Sequence, residues 1–97
     1  MKAITLFGRR WFHRGPGNTY HTVEVFIDGE RVHKSDRTYG YGGHYAQTGQ
    51  EWLETNGFLP GLKHYQNGST QPLQEYCRER GIVYNCSVAD VSRKRDL

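Results

Sequence analysis

The sequence has no hydrophobic run long enough to cross a membrane and few residues that could bind a metal. None of its apolar stretches approaches the roughly 20 residues that a spanning helix needs, and residues 1–8 lack the apolar core of a signal peptide. We therefore expect the protein to stay in the cytosol where it is made. Its two cysteines, Cys77 and Cys86, are too far apart for a Cys-x-x-Cys pair, and we interpret them as reduced structural residues.

Patterns typical of enzymes are also missing. No two of the five histidines stand at i, i+4 on a predicted helix, and we expect His13 and His21 to be surface residues on neighbouring strands. No serine or cysteine lies in a G-x-S-x-G turn, and the glycine-rich residues 40–43 lack the Gly-Lys-Ser/Thr of a phosphate-binding loop. We predict no catalysis, no cofactor and no metal site.

Hydrophobic residues are scarce but aromatic ones are not. Hydrophobic residues make up 35% of the 97 residues and aromatic residues make up 13%, so the buried apolar area has to come from a few large rings. We predict one domain over residues 1–97 with a small aromatic core. The rings expected to contribute to it are Trp11, Phe12, Phe26 and Trp52.

Alternation and turn signals predict four strands and two helices. Ile4 and Leu6 fall on one side of the first strand, with Phe7 and Trp11 on the other. The predicted strands cover residues 4–12, 20–27, 30–39 and 82–88, and the predicted helices cover 44–55 and 72–80. The order β-β-β-α-α-β favours an α+β fold, an antiparallel sheet with both helices on one face. We expect residues 92–97 to be a frayed tail.

Basic residues alternate with aromatic ones near the start of the chain. Residues 1–14 carry a charge of +4 and the last six carry +2, whereas residues 15–91 carry −3. Residues 9–14 could contact phosphates while a ring stacks on a base, or they could form a strand with aromatics facing the core and arginines at the edge. The candidate nucleic-acid-binding residues are Arg9, Arg10, Arg14, Arg93, Lys94 and Arg95.

The acidic middle of the chain suggests the opposite kind of surface. Glu24 and Asp28 share a strand face, Glu30 follows the turn, and Glu51 and Glu54 share a helix face at i, i+3. Carboxylates placed on a strand and a helix could imitate a row of phosphates. Solvated surface carboxylates are the ordinary alternative.

One set of motifs resembles sequences of small phage and prophage proteins. They are Arg10-Trp11-Phe12, residues 17–23 (GNTYHTV), residues 38–42 (TYGYG), His44-Tyr45 and Gln47-Thr48, all between about residues 9 and 55. The size, this phage character and the acidic middle are also similar to inhibitors of type I CRISPR surveillance complexes.

The resemblance implies a phage-encoded anti-CRISPR protein in the cytoplasm of the host bacterium. Its partner would be the Cas proteins of the complex, which it would keep from target DNA, in part by local mimicry of DNA. Glu24, Asp28, Glu30, Glu51 and Glu54 would face the DNA-binding channel. Tyr39 and Tyr41 would be its buried anchors. The alternatives are a small nucleic-acid-binding phage protein that uses the basic strand and tail, and a small enzyme.

Overall fold

A mixed five-stranded sheet with two helices on one face forms the protein, and the computed structural model describes all of residues 1–97. The α+β class, with both helices on one face, is confirmed. A 3₁₀ turn, Lys94–Asp96, follows the last strand. The strands are β1 (Ala3–His13), β2 (Asn18–Ile27), β3 (Glu30–Lys34), β4 (Thr38–Tyr39) and β5 (Val83–Val91), and the helices are α1 (His44–Thr55) and α2 (Leu73–Glu79).

The sheet is not antiparallel throughout, which corrects the sequence-based prediction. Its order is β3-β2-β1-β5, and β5 runs parallel to β1, with Leu6 opposite Cys86. The 12-residue α1 carries the chain about 18 Å back along the sheet. Residues 56–72 and α2 then lead to the end of the sheet where β1 starts, since Val83 lies opposite Ala3, and β5 therefore runs parallel to β1.

The predicted third strand, residues 30–39, is two short strands. A β-bulge lies in β3, where Val32 is an extra residue between the pairs Val25–His33 and Phe26–Arg31, and the residues between β3 and β4 leave the ladder. Ser35 replaces the missing pairing, because its backbone N–H donates to the Val23 carbonyl and its hydroxyl accepts from the Val23 N–H, both at 2.9 Å. β4 then pairs with the start of β2, with Tyr39 opposite Tyr20.

The core lies between the sheet and the two helices. Strand residues such as Ile4, Leu6, Val23 and Val25 point towards the helices and are fully buried. Close packing of α1 on β1 depends on Gly8, where an added Cβ would lie 2.6 Å from the Tyr45 ring. The buried hydrophobic residues are Ile4, Leu6, Val23, Val25, Tyr45, Leu53, Leu59, Leu73, Tyr76 and Cys77.

The aromatic residues expected in the core are elsewhere, so that prediction was wrong. The two core rings are Tyr45 and Tyr76. Trp52 only packs against the core from its edge, and Phe12 is 55% exposed. Alternation along β1 and β2 places Trp11 and Phe26 on the side of the sheet away from the helices, because each is an odd number of positions from a buried aliphatic residue of its own strand, Leu6 and Val25 respectively.

Candidate nucleic-acid interface

The side of the sheet opposite the helices, which we call the open face, is not covered by α1 or α2. In β1 it consists of Thr5, Phe7, Arg9, Trp11 and His13, and the paired residues of β2 and β5 continue it. Most of these side chains are half-buried against each other, not exposed singly. A sheet face in contact with water usually carries polar side chains, so the rings on this one are unusual.

Four rings on the open face form a continuous row, which we call the aromatic row: His13, Trp11, Tyr20 and Tyr39. The Trp11 ring stacks on His13 at 4.8 Å and on Tyr20 at 5.9 Å between centroids. Tyr20 in turn meets Tyr39 edge-on at 5.8 Å, and Tyr39 is 58% exposed. The row crosses from β1 through β2 to β4 and presents ring surface at its outer end.

Cationic side chains surround the aromatic row. The Arg37 guanidinium lies over the Tyr20 ring at 5.3 Å, and that of Arg9 lies over Phe7 at 4.7 Å. Arg31 and Lys34 extend from β3 on the same side of the sheet, opposite Phe26 and Glu24 respectively. Among the strand residues of the open face, three are cations and one is a carboxylate: Arg9, Arg31, Lys34 and Glu24.

The single carboxylate among the strand residues of the open face is already neutralised. Glu24 forms an ion pair with Arg9 and a second one with Arg31 at 3.0 Å. The hydrogen bond from Arg9, joined by that from Arg31, holds the pKa of Glu24 below its usual value. Glu24 was predicted to meet a cationic partner, but here its charge is taken up within the chain.

The C-terminal segment, residues 92–97, lies on the open face. β5 ends at Val91 beside Trp11, and the 3₁₀ turn then packs against β1. Leu97 reaches the end of β3, where its backbone oxygen accepts a hydrogen bond from the Lys34 ammonium at 3.4 Å. Thr22, beneath the segment, is only 5% exposed, and its hydroxyl has no partner. The structure places these residues, which were predicted to be a frayed tail, against β1.

The predicted basic residues are divided between the two sides. Arg9 and the basic residues 93–95 belong to the open face and the segment upon it. Arg10 points to the helix side, where it pairs with Asp90 at 2.8 Å and donates to the Gly42 carbonyl at 3.0 Å. Arg14 follows the end of β1 and is exposed, beside a recess lined by Trp11 and Phe12.

The predicted acidic residues are not brought together. Asp28, in the turn after β2, accepts hydrogen bonds from the backbone N–H groups of residues 2 and 3 at 2.7 and 2.8 Å. Glu30, the first residue of β3, is exposed. Glu51 and Glu54 lie on α1, so the sheet separates them from Glu24, and Glu54 also pairs with His64 at 2.9 Å.

A cavity of about 630 Å³ lies on the helix side between α1 and α2. Its polar lining includes the side-chain amides of Gln47, Gln50 and Gln74 together with Glu51 and Glu54. No group of three or more histidine, cysteine or acidic residues is placed to hold a metal ion.

Three of the motif residues that support the phage resemblance, His21, Gly40 and Thr48, form a buried joint. His21 is fully buried, so the prediction that it is a surface residue was wrong. Its Nδ1 donates to the Gly40 carbonyl at 3.1 Å, so in the neutral ring Nε2 accepts from the Thr48 hydroxyl at 2.7 Å. Burial lowers the pKa of His21 and favours this neutral form. The joint ties β2 to the glycine loop and to α1.

Comparisons of the chain with protein-family models, with curated proteins and with solved structures found no match. No helix of the protein is long and apolar enough to cross a membrane.

Proposed function

We propose that the protein binds nucleic acid on the open face of its sheet, in the cytoplasm of a bacterial host. The observation that carries the proposal is the aromatic row, which lies among cations on the one sheet face that no helix covers. Phosphates attract arginine and lysine side chains, and exposed rings offer surfaces on which bases stack. Both features occur here together, and the one carboxylate among the strand residues of this face, Glu24, is already paired.

Each group has a separate role in this proposal. Lys34 and Arg37, at the rim of the open face, would contact phosphates, and the 93–95 cluster would add affinity without sequence preference. Tyr39 and Trp11 would contact bases, a contact that contributes about 1–3 kcal/mol per stacked base. Arg9 and Arg31 hold Glu24 and contribute residual positive potential.

Charge reversal on the two sides of the sheet tests the proposal. The double variant Lys34→Glu/Arg37→Glu changes the open face, and Lys63→Glu/Arg78→Glu makes the same change in net charge on the helix side. Binding to a fluorescein-labelled oligonucleotide is measured by anisotropy at low and at moderate salt. We expect the open-face variant to bind about tenfold more weakly, with a shallower salt dependence, and the control to change little.

Two results would count against this site. If both double variants weaken binding equally, the effect is one of net charge and the open face is not the site. If the unaltered protein shows no salt-dependent binding to single- or double-stranded oligonucleotides, the proposed function fails. Circular dichroism of each variant shows whether weaker binding reflects a change in structure.

Inhibition of a type I CRISPR surveillance complex, by blocking its binding of target DNA, remains our second candidate. Its two predicted anchors are well exposed, Tyr41 at 76% and Tyr39 at 58%, as a protein-binding surface requires. Mimicry of DNA by all five predicted carboxylates is harder to support, because Glu24 and Glu51 lie on opposite sides of the sheet. An inhibitor would then dock through its aromatic residues and a smaller acidic patch.

A pull-down from bacterial lysate, with and without nuclease, separates the two candidates. Cas proteins that stay bound after nuclease treatment would support the inhibitor and count against the open face as a nucleic-acid site. Bound nucleic acid that nuclease removes would support the open face. Mass spectrometry of the retained proteins gives the first readout, and gel analysis of the extracted nucleic acid gives the second.

A further inference from the structure

We infer that the nucleic acid bound by this chain is single-stranded, an inference that rests on the proposed function. Three features of the open face and its end support it. They are exposed ring surfaces at the end of the sheet, a recess between aromatic and cationic side chains, and a segment that crosses the middle of the face.

The exposed rings are suited to bases that are not paired. Phe12, Tyr39 and Tyr41 are 55%, 58% and 76% exposed. Phe12 and Tyr41 line a common recess beside Arg10 at the end of β1, and Tyr39 is at the outer end of the aromatic row on the open face. Within a duplex each base is stacked between its neighbours and has no free ring face. An unpaired base has one and can stack on an aromatic side chain, whatever its identity.

A recess at this end of the sheet is suited to holding such a base. It has a volume of about 420 Å³ and is lined by Trp11, Phe12 and Arg14 from one strand end and by Val91 and Ser92 from the other. This volume is within the roughly 300–1,000 Å³ range of small-ligand pockets. Its walls provide two rings for a base, and the Arg14 guanidinium forms no ion pair in the chain and is available for the adjoining phosphate.

The C-terminal segment makes the face less suitable for a duplex. It passes over β1 and ends at Lys34, so it interrupts the middle of the sheet surface. A duplex would need a broad surface to rest on or an element free to enter its major groove, which is about 12 Å wide. Both helices lie on the other side of the sheet. A single strand is narrower and flexible, and it can follow the recess and the aromatic row beside the segment.

The experiment compares a 12-nucleotide labelled strand with its duplex of the same sequence, at the same salt concentration. We expect the single strand to bind about tenfold or more tightly than the duplex, since stacking of even one base contributes about 1–3 kcal/mol. A duplex that binds as tightly as the single strand would overturn this inference and leave the proposed function standing. Failure of both to bind would instead remove the proposed function itself.

A variant of the recess gives a second, independent readout. Phe12→Ala/Arg14→Ala removes one ring and one cation that are both exposed, and Tyr65→Ala/Arg78→Ala removes an exposed ring and an exposed cation on the helix side as the matched control. We expect the single-strand affinity of the recess variant to fall about tenfold and its preference over the duplex to narrow, while the control keeps both. An unchanged preference in the recess variant would contradict the role of the recess.

Tryptophan fluorescence reports base stacking at the recess directly. Trp52→Phe leaves Trp11 as the only tryptophan, at the wall of the recess. We expect the single strand to quench its emission and the duplex to quench it less. Binding of the single strand without any change in Trp11 emission would place the bases elsewhere and overturn the assignment.

Discussion

The two faces of the sheet carry different kinds of hydrophobic side chain. The covered face is aliphatic, with Ile4, Leu6, Val23 and Val25 fully buried beneath the helices. The open face is aromatic and cationic, with rings that are half-buried by one another and by arginine side chains. Aliphatic residues on the covered face fill the core, which is where most of the apolar area is removed from water.

This difference indicates that the rings of the open face serve something other than the core. Rings that face solvent are tolerated singly, but a row of four along one surface is typical of a binding site. Cations beside them favour a ligand with negative charge. The experiments below test whether stability depends on the covered face and binding on the open face.

The largest expected effect is on the free energy of unfolding, when two adjacent residues that point to opposite faces of the sheet are truncated. Leu6 is fully buried against α1, so Leu6→Ala should lower the free energy of unfolding by about 2–5 kcal/mol. Phe7 points the other way and is only half-buried, so Phe7→Ala should lower it by less, about 1–2 kcal/mol. Urea unfolding followed by circular dichroism measures both.

Oligonucleotide binding by the same two variants completes the test. We expect Leu6→Ala to bind normally at temperatures where it is folded. Phe7→Ala should bind a few-fold more weakly, because it also removes the ring beneath Arg9. Equal decreases in stability would mean that the open-face rings act as a second core, and the comparison between the faces would break down.

Much of the first half of the chain could be predicted from local patterns. The bounds of α1 match the prediction, residues 44–55, because the apolar spacing, the glycine loop before it and Asn56-Gly57 after it are all local signals. The alternation of Val23, Val25 and Ile27 likewise predicted one buried side of β2. Period-two alternation defines two faces, but it does not say which one the helices cover.

The remainder depends on contacts between residues far apart in the sequence. The parallel pairing of β5 with β1 joins residues about 80 positions apart, and no local pattern encodes it. The burial of His21 needs the Gly40 carbonyl and the Thr48 hydroxyl, which only the folded chain brings together. Trp11 was expected in the core because large apolar rings usually lie there, and its neighbours on β2 and β5 were not known.

A smaller effect is expected from the buried joint on the covered face. The pKa of His21 lies below 6.5 in the folded protein and near 6.5 in the unfolded chain, so at lower pH the unfolded state binds more protons. Its stabilising contribution is therefore full above pH 6.5 and declines as the pH falls below it. We expect the melting temperature to drop by a few degrees between pH 7.5 and pH 5.5.

The variant His21→Gln isolates this contribution. It should be less stable at pH 7.5, because the side chain no longer matches both hydrogen-bond partners, but its melting temperature should vary less across the same pH window. The decline below about pH 4.5, to which Glu24 contributes through its lowered pKa, should remain in both proteins. An equal pH dependence in the two proteins would assign the effect to another group.

The smallest effect is expected from the C-terminal segment, where anchoring and charge can be separated. Leu97→Ser loosens the end of the segment above Thr22 and should raise duplex affinity a few-fold, while the affinity for a single strand stays about the same. Replacing Arg93, Lys94 and Arg95 with serine keeps Leu97 in place and removes the charge of the segment. That variant should bind the single strand and the duplex more weakly. For the single strand, the slope of log affinity against log salt concentration should become shallower by about 0.7 for each phosphate that the protein no longer neutralises. If Leu97→Ser also weakens the binding of both ligands, the C-terminal segment is itself part of the binding surface. Residues 92–97 would then belong to the binding side in the comparison of the two faces.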